Sequence, residues 1–163
     1  MIYQTCYNSP LGNILLLSNG NALSGLYFEG QKYFPKISSE WKNGQGLAIL
    51  QKTNKQLNEF FHDGRRIFSI RLLNHGSPFQ QVVWEKLCTI PYGQTTTYSA
   101  IALTIGGVNY TRAVGNAIRL NPISVIIPCH RVLGINGTLT GYAAGLSRKY
   151  DLLHLETRQS MAV

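Results

Sequence analysis

The hydrophobic pattern of the chain changes period near Asn74-His75-Gly76-Ser77-Pro78, and this change limits the available folds more than any other feature. Before the break, short apolar runs alternate with turn residues. Ile14-Leu15-Leu16-Leu17 lies between Pro10-Leu11-Gly12 and Asn19-Gly20-Asn21 and reads as a buried strand. Asn19-Gly20 is a turn pair and Leu23 to Phe28 resumes an apolar run, so a hairpin is expected. From Leu47 to Phe61, apolar residues recur at near-helical steps through Ile49, Leu50, Leu57, Phe60 and Phe61. Ile67-Phe68-Ser69-Ile70 then alternates like a further strand. After the break, Phe79, Val82, Val83, Trp84, Leu87 and Ile90 follow three- and four-residue steps as far as Pro91-Tyr92-Gly93. Two more helices are expected, one from Tyr98 to Ile105 ended by Gly106-Gly107, the other from Asn109 as N-cap to just before Asn121-Pro122. The reading is therefore an α/β domain with a small sheet over residues 1–75 and a mainly helical domain over 76–163. Two short helices joined by a glycine-containing turn make a helix-turn-helix candidate, though many helical domains contain such a pair. The tail from Thr157 to Val163 is short and polar, and is expected to be disordered.

Charge narrows the choice of partner. Fifteen Lys and Arg stand against seven Asp and Glu, a formal net charge of +8, which favours a polyanion such as nucleic acid. No apolar run approaches the roughly 18–20 residues of a membrane helix, and the first residues lack the pattern of a secretory signal. A cytoplasmic protein with no membrane attachment is expected. The three cysteines, Cys6, Cys88 and Cys129, show no paired spacing. They argue against a disulfide framework and against a cysteine-rich zinc site, and leave a free thiol for chemistry.

One stretch carries a chemical signal. In Ser124-Val125-Ile126-Ile127-Pro128-Cys129-His130-Arg131-Val132, an apolar strand-like run ends at a proline that fixes the chain direction, and a cysteine and a histidine follow at once. A thiol of ordinary pKa needs a base nearby to act near neutral pH, and a histidine in reach, directly or through a water, supplies one. Neighbours on a strand point to opposite faces, so His130 serves Cys129 only if the backbone turns there. The competing reading is a buried structural cysteine beside a surface histidine.

Pro128-Cys129-His130-Arg131-Val132 resembles the active-site signature of the O6-alkylguanine-DNA alkyltransferases, the methylated-DNA–protein-cysteine methyltransferases. The resemblance extends over nearly the whole chain. Gly76-Ser77-Pro78-Phe79-Gln80, Pro91-Tyr92-Gly93-Gln94-Thr95-Thr96-Thr97-Tyr98, Arg112-Ala113-Val114-Gly115-Asn116-Ala117, Asn121-Pro122, Gly141-Tyr142, Gly145-Leu146 and Leu152-Leu153-His154-Leu155-Glu156 are similar to family segments, in order. So are Ser9-Pro10-Leu11-Gly12 and Tyr27-Phe28-Glu29-Gly30-Gln31 near the start. The family's fold would be a ribonuclease-H-like N-terminal domain and a winged-helix C-terminal domain.

The resemblance also implies an activity: repair by direct reversal, moving the alkyl group of O6-alkylguanine, and of O4-alkylthymine, onto Cys129 once per molecule. Cys129 would be the nucleophile, His130 its base through a water, and Glu156 the acid that holds His130, as in a hydrolase relay. Asn121 would brace Cys129, and Tyr98 would donate to the departing base. Arg112, Ala113, Gly115, Tyr98 and Arg119 would contact double-stranded DNA in the minor groove, with Arg112 filling the stack that a flipped base leaves. Tyr142, Val132 and Gly145 would line the substrate pocket. No cofactor is implied. Some relatives hold zinc in the N-terminal domain, but with Cys6 alone there none is expected. A monomer is expected. Two departures stand out: Ser77 where threonine is frequent, and Ala144 where glycine is frequent. The alternative is a non-catalytic protein that recognises alkyl lesions through the helix-turn-helix, as the alkyltransferase-like proteins do without the cysteine. A cysteine hydrolase would leave the basic helix pair without a purpose.

Overall fold

The computed structural model describes residues 1–161. They fall into two compact units that divide between Asn74 and His75. In the first unit, β1 (Tyr3–Ser9), β2 (Gly12–Ser18), β3 (Leu23–Phe28) and the two-residue β4 (Lys42–Asn43) form one sheet in the order β3-β2-β1-β4. β2 pairs antiparallel with both β1 and β3, and β4 joins β1 in parallel. Leu15, Leu16 and Leu17 are all buried, because β2 is an inner strand covered on both faces, and a covered strand reads as a continuous apolar run. Helix α1 (Ala48–His62) lays Leu50, Leu57 and Phe60, each fully buried, among Ile14, Leu16, Leu26 and Phe28 of the sheet strands.

The strand expected at Ile67–Ile70 does not form. Its backbone is taken by a side chain instead: Gln56 of α1 accepts from Ser69 N–H at 2.9 Å and donates to Ser69 Oγ at 2.7 Å. Beyond it, Leu72 makes a single parallel bridge with Leu23.

The second unit opens with α2 (Pro78–Leu87). Ser77 caps it in a capping box with Gln80, and proline stands in the first turn, where its missing N–H costs nothing. Val83, Trp84 and Leu87 form its buried face, and Trp84 Nε1 donates to Ala117 O at 2.9 Å. Helix α3 (Tyr98–Ile105) is capped by Thr97 and ends at Gly106. A 3₁₀ turn, Val108–Tyr110, leads into α4 (Thr111–Arg119), so the N-cap is Tyr110 and not Asn109 as expected. The pair α3–α4 is the helix-turn-helix. Two short parallel strands, β5 (Thr96–Thr97) and β6 (Val132–Leu133), start the wing, and α5 (Leu146–Met161) closes the unit. The expected disordered tail is helical as far as Met161; Ala162 and Val163 lie outside the described residues. Among the described residues, no helix is long and apolar enough to cross a membrane.

Candidate active site and DNA-facing groove

The apolar run before Cys129 is not a strand. Val125 has φ +71°, a conformation that is rare for a β-branched residue, and Ile126 N–H donates to Ser124 O at 2.8 Å across it. At Pro128, with φ −81° and ψ 64°, Cys129 N–H donates to Ile127 O at 2.8 Å in an inverse γ-turn. Two three-residue turns therefore fold the chain back on itself, and Cys129–Arg131 follows as a buried 3₁₀ turn. Asn121 fixes this knot from inside: its Nδ2 donates to Ile127 O and its Oδ1 accepts from Ile123 N–H, both at 2.9 Å. The run is apolar because it is buried, a property that helices, strands and packed turns share.

The turn brings the expected residues together. His130 and Glu156 are both fully buried, and His130 Nε2 lies 2.7 Å from Glu156 Oε1. Arg131 Nη2 reaches the same oxygen at 2.7 Å, Arg131 Nε reaches Oε2 at 3.0 Å, and Gly93 N–H adds a longer bond at 3.3 Å. Burial alone would raise the Glu156 pKa; the bonds and charge of His130 and Arg131 outweigh it and bring it down to about 2. Glu156 is therefore an anion that accepts from Nε2–H. That assigns the His130 proton to Nε2 and leaves Nδ1, buried with no protein partner, as the basic atom. Burial lowers the His130 pKa, Glu156 opposes this, and the charges of Arg131 and Lys149 lower it further, so the ring is neutral.

Cys129 is 7% exposed, whereas Cys6 and Cys88 are both on the surface. Burial pushes its thiol pKa up, while Asn121, Tyr142 and the charge of Lys149 pull it down. The Tyr142 hydroxyl is buried and faces the sulfur without reaching hydrogen-bond geometry; burial and the facing sulfur hold its pKa well above the ordinary phenol value. The cleft over the sulfur is only about 10 Å³, lined by Ile118, Arg119, Asn121, Ser124, Gly141, Tyr142 and Ala143. Val132 and Gly145, expected in the pocket, do not line it. Val132 is fully buried where β6 pairs with Thr96, and Gly145, with φ +95°, is exposed at the entry to α5. Ala144, where pocket width was in question, is buried beneath the loop, and Ala143 faces the cleft instead.

Next to this cleft, and sharing Arg119 and Gly141 with it, is an open groove of about 420 Å³ between α4, the start of α3 and the wing. Val114, Ala117 and Ile118 bury one face of α4, which leaves Arg112, Ala113, Asn116 and Arg119 exposed on the other. Arg112, Gly115, Asn116 and Arg119 line the groove, and the Arg119 guanidinium is hydrogen-bonded to Asn116. A Cβ on Gly115 would meet only Tyr98 Cδ1, at an ordinary 3.8 Å, so internal packing does not require a glycine there. Tyr98 also lines the groove, and its hydroxyl donates to Thr140 O at 3.2 Å and Gly141 O at 3.3 Å.

Lys149 was missed from the sequence. It is fully buried, donates to Thr140 O at 2.8 Å and sits 5.7 Å from the Tyr98 ring centre. Burial lowers its pKa to about 8, against the opposing pull of Cys129. The available signal was helical spacing: Lys149, Leu152 and Glu156 recur at three and four residues, so two charged residues occupy the buried stripe of α5. Arg131 was quoted within the motif but given no role of its own.

Residues 2–73 match the family described as 6-O-methylguanine DNA methyltransferase, ribonuclease-like domain, and residues 78–158 match its DNA binding domain. The methylated-DNA–protein-cysteine methyltransferase of Haemophilus influenzae is 42% identical over 95% of this chain and 86% of its own. That of Methanosarcina barkeri is 43% identical over 95% and 97%. Among solved structures, Mycobacterium tuberculosis O6-methylguanine methyltransferase is similar with a TM-score of 0.88 at 40% identity, over 98% of this chain and 94% of that one. The Mycobacterium tuberculosis protein in complex with DNA gives 0.86 at 39% identity, over 97% and 93%.

Proposed function

The chain belongs to the 6-O-methylguanine DNA methyltransferase family, and from that membership we propose that Cys129 is the residue that receives the alkyl group. The protein binds DNA and repairs alkylation by direct reversal, moving the alkyl group to a cysteine of its own. The observation that carries the assignment is that Cys129, alone of the three cysteines, is buried beside a neutral histidine oriented by an ionised glutamate.

The reaction reads from these atoms. His130 Nδ1 takes the thiol proton through a bridging water, and the sulfur attacks the O6-bound alkyl carbon in line. The S–C bond forms as the C–O6 bond breaks, and the electron pair stays on the base. The base leaves as guanine, with the proton returned to N1, so thiol and alkylguanine become thioether and guanine with no co-reactant. A thioether has no easy route back, which limits each molecule to one transfer. Asn121 holds the turn that aims the sulfur. Tyr98, now bonded to wing carbonyls, turns its hydroxyl to the departing base.

A base inside a duplex cannot reach a buried sulfur, so the lesion is flipped out. The groove at α4 receives the minor groove, and Arg112 fills the vacated stack. O4-alkylthymine presents the same alkyl–oxygen bond and is a second substrate. The chain acts as a monomer. A cleft of about 10 Å³ holds no more than a water, so the Gly141–Ala143 segment yields as the base enters.

The test is intact-protein mass spectrometry after incubation with a duplex carrying one O6-methylguanine. One added methyl, mapped to Cys129 and absent in Cys129→Ala, is expected. Tight lesion binding without any mass gain would instead support a non-catalytic recognition protein.

A further inference from the structure

Arg131 is a buried cation for which the reaction above has no use. It is held on every side. Nη1 donates to Ile90 O at 2.7 Å, Nη2 and Nε hold the Glu156 carboxylate, and the guanidinium carbon lies 5.6 Å from the Tyr92 ring centre. Tyr92 is itself tied by its hydroxyl to Gln159, one turn beyond Glu156 on α5. The guanidinium therefore cannot swing off the carboxylate, and it meets the same oxygen, Oε1, that His130 uses.

A buried imidazole facing a lone carboxylate is pulled toward the imidazolium form, because the anion's charge is compensated only when the ring is protonated. A cation already on that carboxylate removes the pull. We propose that Arg131 is a positioning residue: by neutralising Glu156 it keeps His130 an uncharged imidazole protonated on Nε2, with Nδ1 open as the base for Cys129. The carboxylate then orients the ring without drawing a proton onto it. The inference rests on the reading of His130 as that base. Besides Glu156 and Arg131, the charged group acting on the ring is Lys149 from α5, a second cation acting in the same direction. Facing Glu156 are His130, Arg131, the Gly93 N–H and, more distantly, the Tyr142 hydroxyl.

The test is the rate of alkyl transfer against pH for the full chain, Arg131→Met and Arg131→Lys, under single-turnover conditions with an O6-methylguanine duplex. In Arg131→Met the acid limb should move up by about one pH unit or more, and Arg131→Lys, which keeps the charge, should move it back. A rate lowered equally at every pH, with the limb unmoved, would overturn the proposal, since lost packing alone scales the rate. A second measurement needs no variant: ¹⁵N NMR of the His130 ring in the unmodified protein. Neutral imidazole with the proton on Nε2 at neutral pH is expected, and imidazolium there would overturn it. His130→Ala separates the two levels of the argument. If that variant transfers at full rate, the catalytic reading fails; if it is inactive while the limb stays fixed in Arg131→Met, only the role of Arg131 fails.

Discussion

At Glu156, donors from His130, Arg131 and Gly93 converge on two oxygens in a fully buried site, so the stability of the site, and the chemistry proposed for it, rest on one carboxylate. Replacing it by alanine strands the Arg131 charge, and breaking a buried pair in this way costs roughly 3–5 kcal/mol. Urea denaturation of Glu156→Ala should show a loss of that size, together with loss of alkyl transfer. The same site sets the acid response. His130 and Glu156 both have folded pKa values below their free values of 6.5 and 4.5, so the unfolded chain binds more protons as pH falls. The contribution of these two groups should therefore be full above about pH 6.5 and decline first as His130 protonates in the unfolded chain. It should decline again between about 4.5 and 2 as Glu156 does. Urea midpoints across pH check this, and Glu156→Gln should remove the lower stage while keeping the upper one.

At the scale of elements, caps and small residues give opposite kinds of outcome. Ser77→Ala removes the side-chain half of the α2 capping box and should cost about 1 kcal/mol in thermal unfolding, with no change in transfer rate. Gly115→Ala should do the reverse. A helix-interior glycine costs about 1 kcal/mol relative to alanine, and the added methyl has room inside the protein, so stability should rise. The methyl would also narrow the groove, so lesion-duplex affinity measured by fluorescence anisotropy should fall. Unchanged affinity would show that DNA does not approach α4 at this residue. Elements that bury one face or are closed by glycine were legible in the sequence: the β2–β3 hairpin at Asn19-Gly20, α1, and α3 with its stop at Gly106. The turn that carries Cys129 was not. Ser124–Ile127 has the composition of a buried strand, and nothing in it announces a positive φ at Val125. Ile67–Ile70 likewise alternates as a strand would, but Gln56, 13 residues before Ser69, claims its backbone. Within the site, Cys129 and His130 were accessible from the motif and Glu156 only from the wider family resemblance, while Lys149 required noticing charge on a buried helical stripe.

For the whole molecule, the surplus of cations is less available than the formal +8 suggests. Arg131 and Lys149 are buried and Arg148 is partly engaged with Ala144 O, which leaves Lys86, Arg112, Arg119 and Arg158 exposed in the second unit. DNA affinity should fall linearly in log K against log salt, and Arg119→Ala should make that slope shallower by about 1. The cleft over the sulfur has one further consequence. A molecule used once must survive, unspent, from synthesis until a lesion arrives. A cleft of about 10 Å³ shuts bulky electrophiles away from the sulfur as it shuts out normal bases. The shelf life of each copy is then set by how often the loop above the thiol opens, and not by how reactive the thiol is.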